Sequence, residues 1–196
     1  MRLASPYDSF EDPYCYPGTS TLKNKLDLRD YAELEAFEHE SVSAKGEEEL
    51  PSGRFDTAHY RSIHRHLFSE VYDWAGEYRT VRTAKAGDMS CYPEHIADQM
   101  DLLFASLNQG AFLRGAAKPD FVKASAKFLS ELNAIHPFRE GNGRCQLSFL
   151  FLLGERSEHR LNMTRVRAGP MLEAMVESFH GRLGALEEEI KCLYRK

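Results

Sequence analysis

His136-Pro137-Phe138-Arg139-Glu140-Gly141-Asn142-Gly143-Arg144 places a base, a carboxylate, an amide, two glycines and a guanidinium side by side. Few structural tasks need that mixture. Upstream, Phe121, Ala124, Phe128, Leu132 and Ile135 recur at three- and four-residue spacing, which marks one face of a helix. Pro137 disfavours helical backbone at His136, so that helix ends there. Downstream, Leu147, Phe149, Leu150, Phe151, Leu152 and Leu153 make the chain apolar nearly all round, as in a second helix at the centre of the protein. The stretch is therefore a loop between two core helices, and the predicted fold is mainly α.

A helix that starts over Gly141 to Arg144 presents unpaired N–H groups and the positive end of its dipole, a ready site for phosphate oxygens. Gly141 and Gly143 let a phosphate approach the backbone without a Cβ in the way. Asn142 adds a neutral donor and Arg144 a planar, permanently charged fork. Glu140, just outside the turn, can hold a Mg2+ that bridges the same phosphates, since magnesium takes only one or two carboxylates and keeps several waters. His136 is the one group in the loop able to accept and release a proton near neutral pH. A Gly-Asn-Gly turn or a surface histidine is each common alone; the combination reads as a phosphate and metal cradle with an adjacent base.

As one string, residues 136 to 144 resemble the signature of the Fic family: His-Pro-Phe, any residue, Asp or Glu, Gly-Asn-Gly-Arg, two residues, Arg. The resemblance runs from about residue 7 to 180. It implies a helical bundle with a small β-hairpin flap, and a nucleotidyltransferase that moves AMP from ATP to a hydroxyl of a target protein. By the same resemblance, His136 deprotonates that hydroxyl, Glu140 holds Mg2+, Gly141, Asn142, Gly143 and Arg144 bind the nucleotide, and Phe138 anchors the loop in the core. The final arginine of the signature falls on Leu147, which removes the group that would reach the terminal phosphate. Two alternatives stay open: a Fic-fold transferase of another nucleotide or of phosphate, and a nucleotide- or partner-binding module with little catalysis.

The chain has 196 residues, 42% of them hydrophobic, enough for one domain over 1–196 with a proper core. A formal charge of -5 argues against a dedicated nucleic-acid binder, which would usually show a basic face. No apolar run approaches membrane-spanning length and the N-terminus lacks a signal-peptide pattern, so no membrane partner and a cytoplasmic location are expected. Cys15, Cys91, Cys145 and Cys192 lie far apart, without metal-ligand spacing, and read as reduced thiols. His59, His64 and His66 lack the one-turn spacing of a helical ligand pair.

Residues 1–25, rich in aromatics and proline, predict an irregular segment lying across the domain. A helix through Leu28, Tyr31, Leu34 and Phe37 is expected to give way to polar loop over 41–52. Asp56 is a good N-cap for a helix with Tyr60, Ile63, Leu67, Val71 and Trp74 inward, ended by Ala75-Gly76. Tyr78 to Thr83 reads as a strand, Gly87-Asp88 as a turn and Met89 to Tyr92 as its return, giving a hairpin over 79–92 or else a surface loop. In the family resembled, this segment is the flap that docks the target chain by strand addition; Lys85, Ala86, Gly87 and Met89 fall on it, with Ser90 where related flaps often carry an aromatic. Further helices are predicted from Pro93 with Ile96, Met100, Leu103, Phe104 and Leu107 inward, from Gly169-Pro170 with Leu172, Met175, Val176 and Phe179 packing, and over Leu183 to Leu193.

Many Fic proteins also carry an inhibitory helix with Ser or Thr, three residues, Glu, then Gly or Asn. The closest stretch, Ser43 to Glu48, fails at its last place. The resemblance therefore implies no internal inhibitor, and a toxin restrained by a small helical antitoxin that carries the glutamate.

Overall fold

The computed structural model describes residues 12–85 and 88–194. Among these, seven α-helices and one two-stranded hairpin follow in the order α1 (Tyr31–Glu47), α2 (Thr57–Phe68), β1 (Ala84–Lys85), β2 (Asp88–Met89), α3 (Ile96–Gln109), α4 (Lys118–Ile135), α5 (Asn142–Arg156), α6 (Ala168–Phe179) and α7 (Gly184–Cys192). The mainly helical bundle with a small hairpin is the architecture the sequence predicts. Helix α4 is its hub, in contact with α3, α5, α6 and α7, and its buried side chains include Phe121, Phe128, Leu129 and Leu132.

Caps and stripes explain most boundaries. Asp30 Oδ1 accepts the Ala32 and Glu33 amides at the start of α1, and Asp56 Oδ1 accepts the His59 amide at the start of α2. The expected inward set of α3 is buried throughout. Four expectations need correction. Helix α1 runs on through the polar residues 41–47, because Ser41 and Val42 face the core while the rest face solvent. Helix α2 stops at Phe68; Val71, Tyr72 and Ala75 reach the core from a series of turns. Leu172 is 50% exposed, and Met171 takes its place inside. The strand expected over 78–83 is absent: the hairpin is shorter, with Ala84 opposite Met89 and Lys85 opposite Asp88.

Residues 12–25 contain no helix and one antiparallel bridge, Cys15 to Leu22. Tyr14 packs edge-on to Trp74 at 5.5 Å. Tyr7 and Phe10, also assigned to this segment, lie outside the described residues. The four cysteines are free thiols.

Candidate active site

The motif loop is shaped by its own residues and held by distant ones. Helix α4 ends at Ile135, and His136 turns the chain in the left-handed conformation, φ 50° and ψ 63°, with its N–H still bonded to Leu132 O at 3.0 Å. This conformation is uncommon for a residue with a Cβ, and contacts from neighbouring segments hold it here. Arg79 Nε supplies one such contact, donating to His136 O at 2.7 Å. Phe138 is fully buried, its ring stacked on His64 at 3.8 Å and on Tyr60 at 5.5 Å. Arg139 forms a paired contact with Asp12, Nη2 to Oδ2 at 2.7 Å.

His64 is a further support. Its Nδ1 accepts the Gly76 N–H at 2.8 Å, which leaves the proton on Nε2, and Nε2 donates to Glu140 O at 3.0 Å. Burial pushes its pKa down from 6.5 to about 4, so the ring is neutral at physiological pH. His59 and His66 likewise bond backbone carbonyls, of Pro51 and Lys45.

Asn142 braces the loop from inside. Its side chain is 3% exposed, with Oδ1 accepting the Phe138 N–H at 3.0 Å and Nδ2 donating to Phe138 O at 2.8 Å. That amide closes the loop across Phe138. The two glycines divide the work assigned to them. Gly141 has φ 79°, and a Cβ there would lie 2.2 Å from Phe68 Cζ, so packing and backbone both demand glycine. Gly143 faces open space, and it is the position where a phosphate can meet the start of α5.

Glu140 and Arg144 flank that opening. Glu140 Oε1 accepts the Gly141 N–H at 2.9 Å and lies 3.5 Å from Arg144 Nη2. Arg144 makes a shorter ion pair, 2.6 Å, with Glu38 of α1, and its guanidinium lies 4.7 Å over the Phe68 ring. Glu38 also accepts from Tyr72 Oη, and burial beside that carboxylate pushes the Tyr72 phenol well above its ordinary pKa. Glu140, Gly141, Gly143 and Arg144 border one cleft of about 300 Å³. Val166, Met171 and Met175 add apolar lining, and Leu147 of α5 borders the same cleft.

The donor set suits magnesium rather than a caged metal. The Glu140 side chain is 45% exposed at the opening, and no group of three or more His, Cys, Asp or Glu able to hold a metal occurs among the described residues. A single carboxylate with phosphate oxygens and water is the ordinary magnesium arrangement. On the hairpin, Lys85 and Met89 sit on the two paired strands, with Met89 45% exposed. Ala86 and Gly87 lie outside the described residues. No local sequence signal marks Glu38, His64 or Arg79 as parts of the site.

Comparison with known proteins bears on the family and the fold. Residues 54–153 match the Fic/DOC family. The chain is 45% identical over 186 residues to a probable protein adenylyltransferase of Sinorhizobium fredii, covering 94% of this chain and 97% of that one. It is 34% identical over 179 residues to the protein adenylyltransferase VbhT of Bartonella schoenbuchensis, covering 89% of this chain but 37% of that protein. Among solved structures it resembles BepC of Bartonella tribocorum, determined with bound AMPPNP, at a TM-score of 0.83 and 26% identity, covering 93% of this chain and 97% of that one. No described helix is long and apolar enough to cross a membrane.

Proposed function

The chain belongs to the Fic/DOC family, and on that premise we propose that it is a protein adenylyltransferase that moves AMP from ATP to a Ser, Thr or Tyr hydroxyl of a target protein. The observation that carries this reading is the cleft that Glu140, Gly141, Gly143 and Arg144 share at the start of α5, directly after the left-handed turn at His136. His136 takes the proton of the target hydroxyl as its oxygen bonds to the α-phosphorus of ATP. The bond from that phosphorus to the bridging oxygen breaks, and pyrophosphate leaves. Catalysis of this kind rests on positioning and on stabilising developing charge. The first N–H groups of α5 and the Arg144 guanidinium supply donors and positive charge, and the apolar wall of the cleft takes the base. Glu140 would hold Mg2+, which when bound neutralises phosphate charge.

The adenylyltransferase names of the relatives and the AMPPNP in BepC support ATP as the donor. Leu147 favours the second reading, a different nucleotide or a transferred phosphate, because no arginine stands there for a terminal phosphate. Incubation with target-containing lysate and ATP labelled at either the α- or the γ-phosphate separates the two. Protein labelling from the α-position alone is expected; labelling from the γ-position, or from another nucleotide alone, overturns the proposal.

A finer proposal concerns control. A cytoplasmic toxin restrained by a small helical antitoxin fits a chain whose nearest inhibitory-like stretch, 43–48, ends α1 with Lys45 paired to Glu48 and Glu70. An antitoxin glutamate reaching Arg144 would compete with Glu38. Growth arrest on expression alone, relieved by a co-expressed partner, is the expected outcome.

A further inference from the structure

Arg79 is 2% exposed, yet no carboxylate among the described residues pairs with it. All its bonds go to main-chain carbonyls: Nε to His136 O at 2.7 Å, Nη1 to Val81 O at 2.6 Å, and Nη2 to Cys91 O at 2.7 Å and to Ile135 O at 3.1 Å. Its own N–H donates to Pro137 O at 2.9 Å, and next to it Cys91 N–H donates to Ala134 O at 3.2 Å. Val81 and Cys91 are the two roots of the hairpin. Ile135 and His136 are the end of α4 and the proposed base.

The physical chemistry explains why the cation is tolerated there. The last carbonyls of a helix lack intrahelical partners and carry partial negative charge, so a guanidinium set among them is stabilised without a carboxylate. A planar fork can bond acceptors in several directions at once, which a lysine ammonium on one stem does not reproduce. Separating either hairpin root from the end of α4 would leave a buried charge under-bonded, so the two segments are coupled through this one side chain.

We propose that Arg79 is a positioning residue that fixes the hairpin to the His136 turn, so that a target chain docked on the hairpin presents its hydroxyl to His136. The proposal rests on the adenylyltransferase reading, and its structural part can be tested without it. A merely stabilising arginine would support the whole fold evenly. A positioning one governs the hairpin and the transfer while leaving nucleotide binding alone.

The test is Arg79→Lys, which keeps the charge, measured by amide exchange, ATP affinity and AMP transfer. Faster exchange confined to the Ser90, Cys91 and Arg79 amides is expected, with ATP affinity near that of the wild type. Transfer should fall by about 100-fold, the usual consequence of a misplacement on the order of 1 Å. Unchanged transfer, or exchange that quickens evenly across the helices with a parallel loss of ATP affinity, overturns it. Should the variant not fold, exchange on the wild-type protein decides: the Cys91 and Arg79 amides should open together, with one denaturant dependence, and independent opening refutes the clamp. A wild-type protein that transfers no AMP would refute the adenylyltransferase reading, while the exchange pattern still judges the clamp.

Discussion

The motif loop and the hairpin, the two halves that meet at His136, are built in opposite ways. The loop is fixed from several sides by buried groups: Phe138 between Tyr60 and His64, Asn142 across the loop, His64 on Glu140 O, and Arg139 on Asp12. The hairpin has two paired residues on each strand and exposes Met89. It is tied down at its roots, by Arg79 and by Cys91 N–H to Ala134 O. The lesson is a division of labour. On the proposed function, the nucleotide half is completed by the protein's own core, and the target half would be left for a docked strand to complete.

The sharpest way to break that division is at the point the halves share. His136→Ala should lower AMP transfer by roughly 10²- to 10⁴-fold, the range for a positioned general base, with melting temperature and ATP affinity close to wild type. Full transfer by the folded variant would remove His136 from the chemistry.

A second effect belongs to the loop alone and is read with pH. His64 is held neutral, its pKa down from 6.5 to about 4 by burial. The unfolded chain therefore binds a proton that the native state refuses between these values. Stability from this group is complete above about pH 6.5 and is lost as pH falls toward about 4, to the extent of about 3 kcal/mol. His64→Gln cannot titrate, so its melting temperature should fall less between pH 7 and 4 than that of the wild type. Parallel curves for the two proteins would show that the ring does not hold the loop in the way described.

These two histidines also show what the sequence makes legible. His136 lies in a contiguous string whose residue types announce their chemistry, and the helices around it follow from spacing, as α3 does with Ile96, Met100, Leu103, Phe104 and Leu107. His64 sits on a helix with its contact 76 residues away, and Glu38 meets Arg144 across 106 residues. Such pairings are products of packing, and no local pattern encodes them. The missed boundaries have a related cause. The stretch 41–52 reads as loop because it is polar, but α1 runs on to Glu47, since an exposed helical turn needs no apolar residues. Tyr78 to Thr83 carries strand-like residues, yet the Arg79 side chain takes the Val81 carbonyl that a ladder would use.

A third, smaller change sharpens the nucleotide half. Leu147 is half-buried and borders the cleft beside Arg144, so an arginine there can extend into open space instead of entering the core. Residues three apart share a helix face, and a charge-assisted bond contributes about 1.5 to 3 kcal/mol. Leu147→Arg should tighten ATP by roughly 10- to 150-fold, with less effect on ADP and little change in melting temperature. A collapsed melting temperature would instead place Leu147 with the apolar side chains it packs against.

The smallest expected effect tests whether the halves are separable at all. Met89 is 45% exposed on β2, opposite Ala84, and it does not border the cleft that Glu140 and Arg144 share. Trimming an exposed side chain that supports nothing beneath it changes stability by no more than about 0.5 kcal/mol, so Met89→Ala should melt with the wild type. A target strand laid along the hairpin would lose the apolar contact of one methionine, worth about 1 kcal/mol, or about fivefold in the KM for the target protein. ATP affinity should not move, because nothing in the loop rests on this side chain. Kinetics with target and ATP varied separately therefore carry the decision. A rise in the target KM alone supports two independently built halves, whereas a matching change in ATP affinity would mean that the hairpin shapes the nucleotide cleft as well.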